Sequence, residues 1–149
     1  MIEDILKLLL GTILGAAIGA VVTIRRTRYS VFSADFSNRV ANACTLIDEM
    51  ADCASRAWAG VSSGDPLKSN RHYIVGLKAR LSVLIHSLEA DYRGMKTTRV
   101  QDAFVAFSGA STGGKFSSLD SLDEQQINVI QKYAEELKCE LYGARIQKY

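Results

Sequence analysis

Apolar side chains recur every three or four residues through most of residues 31–149, a pattern typical of amphipathic helices. The first stretch places them at Phe32, Phe36, Val40, Ala43, Ile47, Met50, Ala54, Trp58 and Val61. The second places them at Ile74, Leu77, Leu81, Leu84, Ile85, Leu88 and Tyr92. The spacing predicts one helix over 31–61 and a second that begins at Asp65 and Pro66 and ends at Gly94.

A third, shorter stretch starts after Thr98 and carries Val100, Phe104 and Phe107; its composition also suits a strand, so both remain open. Residues 108–118, "SGASTGGKFSS", have the composition of a flexible loop. Ser121 with Glu124 forms a capping box for a last helix. The apolar stripe of that helix is Ile127, Ile130, Ala134, Leu137 and Leu141. Four helices with short links predict an antiparallel four-helix bundle.

The N-terminal region has a different pattern, because Leu8 to Ile24 is a run of 17 residues without a charge. With residues 5–7 it would form about 30 Å of helix, the thickness of a hydrocarbon core. The acidic start "MIED" and the basic "RRTR" after the run disfavour a cleaved signal peptide. The sequence therefore predicts an all-α chain: a transmembrane anchor over 1–30 and a helical bundle domain over 31–149. No proline or glycine lies between the two, so one continuous helix or a new start at Ser30–Ser33 are both compatible with the sequence.

Charge is distributed unevenly although the net charge is only +2. Arg25, Arg26 and Arg28 favour the cytoplasmic side of an inner membrane, which predicts a single-pass protein with its N-terminus outside. An up-down-up-down bundle would add basic residues to the same membrane-facing pole, where they would contact anionic lipid. These are Arg93, Lys96, Arg99, Arg145 and Lys148. Residues 31–149 carry 14 basic and 14 acidic side chains, and this balance argues against a nucleic-acid partner.

Three glycines, Gly11, Gly15 and Gly19, are spaced four apart and therefore lie in a row on one helix face. Ala16 and Ala20, with Thr12, form a second row of small side chains beside it. Small residues allow two helix backbones to approach closely. The spacing predicts self-association, or docking on another helix, through this face.

One segment partly matches a phosphate-binding loop, because Gly109 is followed after four residues by Gly114 and Lys115. Phe116 stands where that loop needs a hydroxyl, and the strand that should precede it is doubtful. A flexible loop is the simpler interpretation, with a small enzyme or phosphate-binding module as the alternative.

"HSLEA", residues 86–90, resembles the phosphorylated-histidine motif of histidine phosphotransfer domains, which are also four-helix bundles. Glu89 and Ala90 occupy the positions of that family's lysine and glycine, so the resemblance fails where the phosphoryl group is stabilised. His86 lies off the leucine stripe, and a solvated histidine is the better interpretation.

The cysteines and histidines suggest no metal site, cofactor or catalytic residue. Cys44, Cys53 and Cys139 lack the paired short spacing of zinc ligands and are expected to be buried, reduced thiols. His72 has no partner four residues on. The sequence therefore predicts a non-enzymatic scaffold or regulator that forms homo-oligomers and presents its bundle to an unknown protein partner. The alternatives are a membrane effector, toxin-like or of the phage-defence type, and an enzyme that uses the 108–118 loop.

Overall fold

Four α-helices make up the described chain. The computed structural model describes residues 2–60, 71–92, 97–113 and 124–146, with side chains described within these ranges from Gly11 to Ala144. The helices are α1, Ile2–Trp58; α2, Arg71–Asp91; α3, Thr98–Thr112; and α4, Glu124–Ile146. The chain divides into two compact units, Met1–Phe36 and Ser37–Tyr149, and α1 contributes to both.

The predicted membrane-spanning helix is wrong: among the residues that the structure describes, no helix is long and apolar enough to cross a membrane. In the part of α1 with described side chains, the uncharged run extends from Gly11 to Ile24 and ends at Arg25. Leu8, Leu9 and Leu10 belonged to the predicted span and lie outside the described side chains. The single-pass topology, the inner-membrane location and the outward N-terminus depended on that span and are not supported.

The second unit is an antiparallel bundle, as contacts between its helices show. On α1, Arg39 contacts Asp91 at the end of α2 (2.6 Å), whereas Glu49 accepts a hydrogen bond from Tyr73 near the start of α2 (2.5 Å). Residues later in α1 thus meet residues earlier in α2, so these two helices run in opposite directions. The Trp58 indole donates to the Ser111 carbonyl (3.4 Å), which places the ends of α1 and α3 together.

The fourth helix completes the up-down-up-down arrangement. Lys138 donates to Asp48 (2.8 Å) and Gln131 donates to Ser55 (3.0 Å), so α4 also runs opposite to α1. These two bonds tie α4 to α1, and Lys138 also contacts Glu135 on its own helix. Hydrogen bonds to Asp48 and Glu135 raise the pKa of Lys138 above its ordinary value. A raised lysine pKa contributes stability that is present below the ordinary pKa and is lost as the pH rises through the raised value.

The core consists of the apolar stripes that the helical spacing predicts. The fully buried large side chains include Phe36, Ile47, Met50, Ile74, Leu77, Leu81, Ile85, Leu88, Tyr92, Phe107, Ile130 and Leu137. Each helix of the second unit therefore buries one face and exposes the other. Phe32, which the first stripe includes, is 41% exposed, and Val61 lies outside the described residues.

Several predicted boundaries change. Residues 98–112 form a helix, so the strand alternative for the third element is wrong, and so is the predicted loop over 108–112. The helix is continuous through Ser30–Ser33, so no new helix starts there. The predicted caps at Asp65, Pro66 and Ser121, and the predicted end at Gly94, lie outside the described residues.

Candidate assembly surface

The first unit exposes large apolar side chains that the described residues leave uncovered. Each side chain in this set is more than half exposed: Ile13, Leu14, Ile18, Val21, Val22, Ile24, Tyr29 and Val31. A run of exposed apolar residues on this scale is unusual for a surface that faces only water, and surfaces of this kind are typical of interaction sites. A helix that is apolar on all its faces needs a cover on more than one side.

One face of this helix is formed by small residues. Gly11, Gly15 and Gly19 are helical, and a Cβ atom built on any of them meets no other atom within 4 Å. Ala16 and Ala20, the small residues that the sequence analysis places beside this row, are exposed. Thr23 donates its hydroxyl to the Gly19 carbonyl (2.8 Å), so this polar group is satisfied within the helix. We call the face formed by Gly11, Gly15, Gly19, Ala16 and Ala20 the small face.

The side chains on the other side of the helix are larger. Leu14, Ala17, Val21 and Ile24 follow one another at steps of three or four residues, which places them on one face. Val21 follows Gly15 by six residues, or about 240° of rotation, so it points away from the small face. Arg25 and Arg28 continue the same row, four residues after Val21 and after Ile24. We call this row the large face.

The predicted basic residues divide between the described and undescribed parts of the chain. Arg25, Arg26 and Arg28 are exposed in the first unit. Arg99 is exposed on α3, beside a groove of about 470 Å³ that Glu136, Cys139 and Glu140 also line. The other four basic positions lie outside the described side chains: Arg93, Lys96, Arg145 and Lys148. The single basic pole proposed from the sequence therefore stays a prediction.

The first glycine of the candidate phosphate loop lies in a helix. Gly109 lies in α3 and its carbonyl accepts a hydrogen bond from Gly113, which follows the last residue of that helix (2.8 Å). Gly114 and Lys115 lie outside the described residues. A helical Gly109 cannot supply the loop backbone that cradles phosphate in such sites.

The cysteines and histidines lie in different environments. Cys44 and Cys53 are buried as predicted, and burial raises the pKa of the Cys44 thiol. Cys139 is exposed, so the prediction of a buried thiol is wrong there. His86 is exposed, with its Nδ1 2.8 Å from the Ser82 carbonyl, which confirms the solvated interpretation. Within the described ranges, no group of three or more potential metal ligands comes together.

A groove between α1 and α2 is a feature that the sequence analysis missed. It has a volume of about 500 Å³ and is lined by Leu46, Ala79, Arg80, Val83, Leu84 and Ser87. Val75 is 51% exposed and Val83 is 70% exposed on the same helix. Val75, Ala79 and Val83 are spaced four apart and lie off the leucine stripe, which is the signal that could have identified this surface.

Comparison with known proteins gives no relative for this arrangement. No protein-family model, curated protein sequence or solved structure matches the chain.

Proposed function

We propose that this protein is a non-enzymatic scaffold that self-associates through the small face of α1 and presents its bundle to a protein partner. The observation that carries the proposal is the exposure of the apolar side chains between Ile13 and Val31. Apolar surface of this kind is stabilised by removal from water, at about 1.5–3 kcal/mol for each large aliphatic side chain that becomes fully buried. A second copy of the same helix supplies a matching apolar surface.

The small face supports self-association because it allows close approach. The space around Gly11, Gly15 and Gly19 is open, so the backbone of another helix can reach the backbone of α1 there. Ile18 and Val22, four residues apart, flank the glycine row and would pack against the second helix at its edge. Contact through this face buries Ile18 and Val22 together with the glycine row.

The bundle supplies the surface that would bind the protein partner. The buried side chains of its core begin at Phe36, so the exposed apolar side chains of residues 11–31 are not part of that core. The groove between α1 and α2 is apolar along Leu46, Ala79 and Val83, with Arg80 at its edge. We assign this groove to the protein partner, because grooves of this kind accept the apolar face of a helix.

The molar mass of the full-length chain tests the proposal. We expect sedimentation velocity to give a weight-average mass that rises with concentration from one chain to a defined multiple. A mass of one chain at every concentration would contradict self-association.

A further inference from the structure

Three basic side chains lie close together on the first unit. Arg25, Arg26 and Arg28 are exposed within four consecutive residues. No acidic residue lies between Gly11 and Ala34, and Asp35 follows Arg28 by seven residues. Two of the three, Arg25 and Arg28, continue the large face beyond Ile24.

The large face is therefore apolar along one part and basic along the next. Leu14, Val21 and Ile24 are each more than half exposed, and Phe32 is 41% exposed four residues beyond Arg28. A helix that lies parallel to a lipid surface can turn this face toward it, with the aliphatic side chains at the acyl chains and the longer arginine side chains extending to the headgroups. Arginine side chains bind headgroup phosphates, while aliphatic and aromatic side chains enter the boundary between headgroups and acyl chains.

We propose that the large face of α1 binds the surface of a bilayer that contains anionic lipid, with Arg25 and Arg28 at the headgroups and Leu14, Val21 and Ile24 against the acyl chains. The bound helix lies at the lipid surface. This inference goes beyond the proposed function, because the small face and the large face are different sides of the helix. A chain can therefore contact a second copy and a lipid surface together.

The test is co-flotation of the full-length chain with vesicles. One set contains equal parts of phosphatidylglycerol and phosphatidylcholine, and the other contains phosphatidylcholine alone. We expect binding to the anionic vesicles that weakens with salt, and much weaker binding to the neutral ones. The Arg25→Gln/Arg28→Gln variant should bind the anionic vesicles about thirtyfold more weakly, since each arginine near the surface contributes about a fivefold change in affinity.

The matched control removes the same charge from the bundle. Lys78→Gln/Lys132→Gln, on α2 and α4, should bind like the unchanged chain. Circular dichroism should show equal helicity in both variants, because all four side chains lie outside the core. The proposal would be overturned if both variants lost binding to the anionic vesicles equally, or if the unchanged chain bound both kinds of vesicle equally. A chain that self-associates but does not bind vesicles would also overturn the proposal. In that case a second copy alone would cover the exposed apolar side chains of α1.

Discussion

A Gly15→Leu variant should remain folded but lose self-association, with a dissociation constant raised about 30- to 150-fold. A leucine side chain on the small face holds two helix backbones apart, which removes the close contact at the centre of the interface. We take the loss as roughly 2–3 kcal/mol, the scale of a central interface residue. Sedimentation velocity measures the change.

The matched control for this variant is Gly109→Leu. Gly15 and Gly109 are both exposed helical glycines, and an added Cβ meets no other atom within 4 Å at either position. Leucine also favours helix over glycine by about 1 kcal/mol, so neither change should weaken its own helix. If Gly109→Leu dissociates the chain as strongly as Gly15→Leu, the small face is not the interface.

A Phe107→Ala variant should lower the free energy of unfolding by about 3–5 kcal/mol, because it leaves a cavity in the bundle core. Phe107 is fully buried on α3. Domains of this size are stable by about 5–15 kcal/mol, so the change removes a large fraction of the total. Urea denaturation followed by circular dichroism measures it.

Val105→Ala is the control, because Val105 lies two residues away and is 66% exposed. Its effect should stay within about 0.5 kcal/mol. The pair also tests the helical assignment of this segment. In a strand, residues two apart share a face, so the two variants would be expected to behave alike. Equal effects would contradict the observed packing of α3.

The bundle could be predicted from the sequence because its helices obey a simple period. Ile74, Leu77 and Leu81 on α2 are spaced for one face, and the structure buries all three. The same rule holds on α4, where Ile130, Ala134 and Leu137 are buried. The spacing of apolar residues predicts burial directly, because residues three or four apart lie on the same face of a helix with 3.6 residues per turn.

The end of α3 could not be predicted, because the composition of its small polar residues is typical of a loop. Ser108, Ala110 and Ser111 are buried, and α3 packs most closely with α4. Gln126 on α4 donates its amide to the Ala110 carbonyl (2.6 Å), a contact between residues 16 apart that local composition does not encode. Tertiary packing here overrides the local preference for a turn.

The N-terminal prediction failed for a different reason. The hydrophobic run predicts the right secondary structure, since α1 is helical from Ile2, but its length and the basic residues after it do not make it a membrane span. Among the residues that the structure describes, no helix has the length and apolar character of a membrane span. The prediction that Gly11, Gly15 and Gly19 pack against another helix stays a prediction; the space beside them is open in the single chain.

Disulfide trapping on the two faces of α1 tests the central claim most directly. In a Cys139→Ser background, which removes the exposed thiol, a single cysteine is placed at Gly15 on the small face or at Val21 on the large face. We predict that mild oxidation converts Gly15→Cys chains to covalent dimers and leaves Val21→Cys chains largely monomeric. Equal trapping at both positions, or trapping at Val21 alone, would contradict assembly through the small face.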